Sequence, residues 1–500
     1  MSNATQLIQN EIAKVLSGND LYNSYSKQWK YLLESYLGGD EYRAAGHLVR
    51  YQTETDREYN ARLGATPLEN HCQSVVDVYT SFLFREHPYR DLGTLENDPG
   101  IEDFMRDCDW EGRTLNHFMR DLSVWISVFG HAWMIVAKPN VGAANRADEI
   151  AQGVRPYLSM LTPLVVKDWS WTRLPSGKYE LSYLKYIEEV NGDVQTVKEW
   201  TNEVIKTTVI NENENSIIES LVEENGLGEI PCVIAYNKRS SVRGIGVSDI
   251  RDIADKQKFI YNATSEVDQS IRLNTHPSLV KTENTQAGIG AGSIIQLDES
   301  SDPGLKPYLL EFTGASVSSI YEAINHAVNA IDKMANTGAI RATETRTMSG
   351  VAIETEFQLL NSRLADKAKS IELAEEQMWK LYARYVGGEW TGTVMYPMSF
   401  NIRDSYNDLD FYLKAINSGV PSKLYKDELY KQIAEVVIDD SQLLQEITQQ
   451  ITQFEPHVMY NPNTGESVVA QNEQEHIALA DTGYVHEQPI EEGTNNDAST

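Results

Sequence analysis

The side chains that could do chemistry are few, and their spacing suits no common reaction. His71 and Cys72 place a base beside a nucleophile, which is the pair that thiol catalysis needs. Neighbouring side chains on a helix point about 100° apart, so a helical segment keeps these two from meeting. The glycines of 288–292 could cradle a phosphate, but that role needs a strand before the loop and a helix after it. A polar stretch precedes them and a strand-like run follows, which favours a hairpin loop.

Common catalytic and metal-binding motifs are absent from the sequence. It has no glycine-rich loop ending in Gly-Lys-Ser or Gly-Lys-Thr, no HExxH pair and no GxSxG turn. The three cysteines, Cys72, Cys108 and Cys232, are widely spaced and give no zinc signature. We therefore expect no enzyme activity, no cofactor and no bound metal.

Length and charge exclude further classes of protein. The 500 residues are enough for roughly three packing units. With 43 basic and 73 acidic residues the net charge is -30, whereas a sequence-reading nucleic-acid binder needs a basic face. The N-terminus lacks the pattern of a secretory signal, and the longest apolar run, 124–137, is shorter than the ~18–20 residues of a membrane span. We expect neither export by a signal peptide nor a membrane anchor.

The first half of the chain has two kinds of sequence pattern, one helical and one strand-like. Helical periodicity dominates to about residue 128, and Thr-Pro-Leu-Glu at 66–69 predicts a capped helix start. Short alternating segments with turn residues between them predict an antiparallel meander over about 154–236. Apolar residues at helical spacing then predict a helix over 247–273, roughly 40 Å long.

An unusual connection separates the next two predicted helices. A compact insertion with strand-like segments, 274–314, leads into a returning helix over 315–337. The threonine-rich segment 338–350 has no apolar period and exceeds the ~2–8 residues usual between packed helices. The segment 351–402 begins with the most regular helical pattern of the chain, roughly 50 Å long. It ends in a short strand.

The C-terminal part is predicted to be helical and then without order. Capping residues indicate helices over 403–455. No Lys or Arg occurs beyond residue 431, and 456–500 has the composition of an acidic, disordered tail. The fold class that these elements predict is α+β and mainly helical.

This order of elements resembles the portal (head-to-tail connector) proteins of tailed bacteriophages. The similarity of order covers about residues 20–455. Two short segments carry it most directly: 230–237, which reads IPCVIAYN, and 349–356, which reads SGVAIETE and opens the longest helix. The resemblance implies a ring, typically of twelve subunits, at one capsid vertex, through which double-stranded DNA is packaged and ejected.

The resemblance also implies the role of each segment and the partners. The partners would be double-stranded DNA, bound without sequence preference, the terminase large subunit, a head–tail adaptor, and major capsid and scaffolding proteins, with no membrane. The location would be the virion, and the host cytoplasm during assembly. The implied segments are a strand-rich wing (1–246 with 351–402), a helical stem (247–273 and 315–337), a small α/β clip (274–314), a tunnel loop (338–350), a helical crown (403–455) and the acidic tail (456–500).

The same resemblance implies which residues meet DNA. An acidic bore would let a duplex slide, with a few basic residues guiding its phosphates. The tunnel-loop candidates are Arg341, Thr343, Glu344, Arg346, Thr347, Met348 and Ser349. The basic candidates of the stem are Lys256, Lys258, Arg272 and Lys333.

Two other functions remain open at this point. One is a nucleotide- or nucleic-acid-processing enzyme built from scattered acids, for which 288–292 is the best phosphate candidate. The other is a different structural ring protein of the virion, such as a capsid-vertex or tail-tube subunit.

Overall fold

The chain forms two compact units, Met1–Phe400 and Asn401–Thr500, in a computed structural model. The residues that the structure describes are 3–139, 141–142, 146–275, 278–280, 308–310, 315–341, 350–398, 400, 405–418, 420, 422–438, 447–448, 451, 457–462, 464, 466–470, 479–480 and 482–485.

Helices dominate the N-terminal part of the first unit, and short polar side chains cap several of them. They are α1 (Asn3–Leu16), α2 (Asp20–Leu37), α3 (Gly39–Ala44), α4 (Asp56–Ala65), α5 (His71–Leu83), α6 (Ile101–Arg106) and α7 (Leu115–Phe129). Thr55 opens α4 with a capping box. The helix start predicted at 66–69 is wrong, because the Thr66 hydroxyl donates back to the Arg62 carbonyl and ends α4. The next helix, α5, begins under an Asn70 cap.

A three-stranded antiparallel sheet lies in the core of the first unit. Its order is β3-β2-β9, with β2 (His131–Ala137), β3 (Tyr157–Leu161) and β9 (Cys232–Tyr236). Residues 131–136 are all buried, because the sheet is covered on both faces. The longest apolar run of the sequence, 124–137, therefore comprises the end of α7 and all of β2.

A second, five-stranded sheet confirms the predicted meander. Its strands follow chain order: β4 (Val166–Arg173), β5 (Tyr179–Asn191), β6 (Val194–Thr201), β7 (Val204–Asn211) and β8 (Ser216–Glu224). α1 covers one face, where Ile12 and Val15 pack against Val197 and Ile210. The edges of the sheet are β4 and β8. A short helix, α8 (Arg146–Ala151), precedes β3.

Two long helices, α9 (Arg251–Thr275) and α10 (Ala315–Ala335), pack together and form what we call the helical hairpin. Between them, β10 (Ser278–Val280) and β11 (Tyr308–Leu310) pair antiparallel. The helices predicted over 247–273 and 315–337 are therefore present, with ends shifted by a few residues. The rest of the insertion, with its other strand-like segments, lies outside the described residues.

The longest helix, α12 (Gly350–Val386), runs through the core, where Leu364, Ile371 and Met378 are fully buried. Before it, α11 (Gly338–Arg341) is helical, so the first four residues of the predicted tunnel loop are not a loop. After it, β12 (Thr393–Met395) pairs with β1 (Tyr89–Asp91). No helix of the described residues is long and apolar enough to cross a membrane.

The second unit contains α13 (Ser405–Ile416), α14 (Lys423–Val437) and a hairpin of β13 (His457–Tyr460) with β14 (Ser467–Ala470). The helices agree with the prediction for this region. The expectation of a tail without order fails over 457–470, because alternating apolar residues flank a turn sequence, Asn-Pro-Asn-Thr-Gly, and Met459 and Ala470 are buried.

Candidate functional site

The junction between the core and the helical hairpin depends on a contact between two glycines. A Cβ on Gly246, just before α9, would lie 1.9 Å from the carbonyl oxygen of Gly130. Gly130 ends α7 with a φ of 89°, which only glycine adopts without strain. The two backbones therefore meet at a separation that side chains would prevent. We call this contact, with the adjoining residues 246–250, the junction.

His131 packs beside the two glycines as a neutral ring. It is fully buried, and its Nδ1 accepts a hydrogen bond from the Gly246 N–H at 3.3 Å. Accepting this bond requires an unprotonated nitrogen. Burial lowers the pKa of His131 to about 3. The first hairpin helix is thus attached through an imidazole that must stay uncharged.

We expect the first unit to lose stability as the pH falls from about 6.5 towards 3. In this range the unfolded histidine binds a proton and the native His131 does not, so unfolding becomes more favourable by up to ~1.4 kcal/mol per pH unit. Urea unfolding of the wild type and of His131→Asn at pH 7 and pH 5 tests this. All nine tryptophans lie in the first unit, so fluorescence reports on it alone.

The asparagine variant should be less stable at pH 7 but should lose about 2 kcal/mol less between pH 7 and pH 5. His117→Asn, at an exposed histidine of α7, should keep the wild-type pH dependence. Equal slopes for the wild type and His131→Asn would contradict the role of this ring.

A buried ionic cluster holds α12 against the junction. Lys367 Nζ lies 2.6 Å from Asp249 Oδ2 and also donates to Asn237 Oδ1. Arg363, one turn earlier on α12, donates to Asp249 Oδ1 at 2.9 Å and to the Met334 carbonyl at 2.9 Å. The cluster therefore joins the end of β9, the start of α9, the end of α10 and α12 at one point.

The electrostatics of this cluster favour a charged pair. Burial raises the pKa of Asp249, but Lys367 and Arg363 outweigh that effect and hold it below its usual range. Burial lowers the pKa of Lys367, and Asp249 opposes this shift. The Lys367 and Asp249 side chains are only 3% and 5% exposed, so each depends on the other for compensation.

Polar side chains of α9 also bind the N-terminal helices. The Gln257 side chain accepts a hydrogen bond from the Cys72 N–H at 2.9 Å and donates one to the Ser35 carbonyl at 2.9 Å. Further along, Ser265 accepts from Arg62 at 3.1 Å. These contacts hold about half of α9 against α2, α4 and α5, and the sequence offered no signal for them.

The structure does not gather the four basic hairpin candidates on one face. Lys256 and Lys333 are exposed, and Arg272 binds Asp268 one turn earlier at 2.9 Å. Lys258 is half-buried, with its Nζ 5.9 Å from the ring centre of Tyr31. At about 100° per residue, Lys256 and Arg272 lie roughly 160° apart around α9, so no single face presents both.

Arg341, predicted as a DNA-facing loop residue, is held inside the first unit. Its guanidinium lies 2.8 Å from Asp332 Oδ1 and donates to His71 Nδ1 at 2.8 Å. Burial and then Arg341 lower the pKa of His71, which keeps its ring neutral and able to accept. Arg341 therefore anchors the start of segment 338–350 to α10 and α5. The remaining loop candidates lie outside the described residues: Thr343, Glu344, Arg346, Thr347, Met348 and Ser349.

His71 and Cys72, the candidate nucleophile-base pair, are each held in other contacts. Cys72 is fully buried, and burial raises the pKa of its thiol, while His71 is engaged with Arg341. Across the described part of the chain, no group of three or more His, Cys, Asp or Glu side chains could hold a metal ion. The glycines of 288–292 lie outside that part.

The first unit thus combines an α+β core with a two-helix hairpin, and a buried ionic cluster joins the two. The family model described as "Phage portal protein, SPP1 Gp6-like" matches residues 31–412. The chain therefore belongs to the SPP1 Gp6-like family of phage portal proteins. This confirms the resemblance drawn from the order of elements.

Similar solved structures come from gene transfer agent (GTA) particles, each at 10% identity. The neck of an empty particle computed with C6 symmetry has a TM-score of 0.45 and covers 79% of this chain and 98% of that chain. The virion of a native particle has a TM-score of 0.42, and the neck of a native particle computed with C12 symmetry has 0.43. Each covers 72% of this chain and 89% of that chain. No curated protein matches the chain.

Proposed function

We propose that this chain forms a ring of twelve subunits at one capsid vertex, through which double-stranded DNA is packaged and ejected. The observation that carries the proposal is the portal family match over 31–412, which includes both hairpin helices and α12. The proposal assigns no catalytic role to the chain. Its net charge of -30 suits a bore that does not grip the duplex phosphates.

Each segment has a place in this proposal. Residues 1–246 and 351–402 form the wing against the capsid and scaffolding proteins, and the helical hairpin forms the stem. The clip, 274–314, meets the terminase large subunit and later the head–tail adaptor. The crown, 403–455, lies inside the head, and the tunnel loop within 338–350 faces DNA. The ring is present in the host cytoplasm during assembly and in the virion afterwards, and it is the functional form of the protein.

The mass of the purified chain in solution tests the ring. Twelve copies of 56.4 kDa give about 677 kDa, and native mass spectrometry with negative-stain images would resolve such a ring and its channel. Closed rings with an open channel would support the proposal. A chain that stays monomeric even with its scaffolding protein, or one that hydrolyses nucleotides, would overturn it.

Arg341→Ala should lower the stability of the subunit, whereas Arg346→Ala should change the amount of packaged DNA. Arg341 makes charge-assisted bonds inside the subunit, so its loss should cost ~1.5–3 kcal/mol of stability. Arg346 is proposed to touch DNA, so its replacement should leave stability and ring assembly intact and change the amount of packaged DNA. Unfolding curves and DNA content per particle measure the two effects. Unchanged DNA content in Arg346→Ala would contradict the contact.

A further inference from the structure

A groove on the first unit collects basic side chains in an acidic protein. Its volume is about 640 Å³, and it lies between the hairpin end of β4 and β5, β9 with the loop after it, and the C-terminal part of α12. Its acidic lining residues are Glu180 and Glu229. Its basic lining residues are Lys178, Arg239, Arg243, Lys380 and Arg384. With five cations and two carboxylates the groove lining is basic, whereas the whole chain has an excess of acidic residues. We call this surface the basic groove.

Two arginines of the basic groove are held by aromatic rings. Arg243 Cζ lies 3.4 Å from the centre of the Tyr179 ring, and Arg239 Cζ lies 5.0 Å from that of Tyr236. Neither guanidinium forms an ion pair with a carboxylate in the part of the chain that the structure describes. Stacking uses the faces of a guanidinium and leaves its N–H edge free to bind a carboxylate. These two arginines therefore offer positioned donors for an acidic partner.

The far edge of the five-stranded sheet carries the opposite charge. β8 is the last strand, and its outer edge has no partner strand in the part of the chain that the structure describes. Ile218, Leu221 and Val222 are each about half exposed or more, and exposed glutamates lie among them. Those glutamates are Glu219, Glu223 and Glu224. A long, exposed edge strand with apolar side chains is a ready site for another chain.

The arrangement of β8 matches the groove in chemistry. Residues 219, 221 and 223 alternate along the strand and share one face of it, so Leu221 lies between two carboxylates. The groove likewise has both basic and apolar side chains in its lining, Ile234 among the apolar ones. An acidic-apolar-acidic strip thus faces a surface of opposite charge and similar apolar content.

The two surfaces lie on opposite edges of one sheet, so they cannot meet within a subunit. Four strand spacings of about 4.8 Å separate β4 from β8, or roughly 19 Å. A contact between two different patches of identical subunits is heterologous, and such contacts form a ring when the rotation between neighbours closes.

We propose that the β8 edge of one subunit binds in the basic groove of the next, with Glu219 and Glu223 facing Arg239 and Arg243. The occupant of the groove is a second copy of this chain. This inference rests on the proposed function, because it needs a ring. It names the surfaces through which that ring closes.

Two charge-reversed variants test the contact. The first is Arg239→Glu with Arg243→Glu, and the second is Glu219→Arg with Glu223→Arg. Each alone places like charges at every interface, so its yield of rings should fall at least tenfold. Mixed in equal amounts, the two can alternate around an even-numbered ring, and every interface then joins opposite charges. Native mass spectrometry should show rings restored at a 1:1 composition.

Controls separate this contact from folding and from general charge effects. Tryptophan fluorescence should show both variants folded, and Lys27→Glu with Lys30→Glu, on the exposed face of α2, should assemble like the wild type. If the wild type forms rings and each variant by itself forms them equally well, the inference is overturned and the proposed function is not. Failure of the mixture to assemble, or loss of DNA binding with assembly unchanged, would have the same meaning. A wild type without rings would overturn the proposed function as well.

Discussion

Replacing Lys367 by methionine is expected to destabilise the first unit by about 3–5 kcal/mol. The change removes the ammonium 2.6 Å from Asp249 Oδ2 and leaves that buried carboxylate with Arg363 as its remaining cation. Methionine has a similar length, so the loss comes from charge compensation more than from a cavity. Urea unfolding followed by tryptophan fluorescence measures it.

A matched control lies two residues along the same helix. Lys369 pairs with Glu372, and the Lys369 side chain is 55% exposed while that of Glu372 is 7% exposed. Because solvent screens one partner of this pair, Lys369→Met should cost less than Lys367→Met, whose two partners are both buried. The pH dependence gives a second readout. The pKa of Asp249 is held low, so its stabilising contribution is present above the unfolded value near 4 and is lost as pH falls through the folded value. Lys367→Met should weaken this acid dependence, and equal stabilities of the two methionine variants would refute the proposed role of the cluster.

Gly246→Ala should be nearly as damaging, at about 3 kcal/mol. Overpacking usually costs ~1–3 kcal/mol, and this case lies at the upper end because the obstacle is the Gly130 carbonyl oxygen, 1.9 Å from the new Cβ. Backbone cannot rotate away as a side chain can. The chain leading into α9 must shift, so the yield of rings should fall together with the unfolding midpoint.

Gly226→Ala provides the comparison for the second prediction. A Cβ there would meet nothing within 4 Å, and its φ is not positive, so the substitution should change stability by less than ~1 kcal/mol. If the alanine variants at 226 and 246 unfold at the same urea concentration, the glycine contact does not determine how the hairpin is attached.

Local pattern was enough to predict much of the fold. α12 follows its apolar period closely, and Leu364, Ile371 and Met378 are buried as that period requires. Turn residues were enough to predict the position of the meander, and the order of elements was enough to indicate the portal family. The hairpin at 457–470 departs from the predicted disorder because its apolar residues alternate, although the composition around it is acidic. Thr66 was misread because its hydroxyl can close a helix as well as open one.

The junction could not be predicted from the sequence. Asp249 and Lys367 are 118 residues apart, and a charge destined for the core looks in sequence like any solvated one. Gly130 and Gly246 are likewise significant only because tertiary packing brings them together. Arg341 was expected to face DNA because it begins a polar segment, whereas its partners Asp332 and His71 come from two other helices.

The pairing of β1 with β12 can form only late in the synthesis of the first unit. Tyr89 and Met395 are partners across the pair, and Arg90 beside them binds the fully buried Glu375. At roughly 5–20 residues per second, the ribosome delivers the later strand about 15–60 s after the earlier one. Closing so long a loop is also entropically slow. The nascent first unit must therefore keep an unpaired strand and an uncompensated arginine in solution until nearly all of it has been synthesised. Translation speed and chaperone supply should therefore determine the yield of assembly-competent subunits.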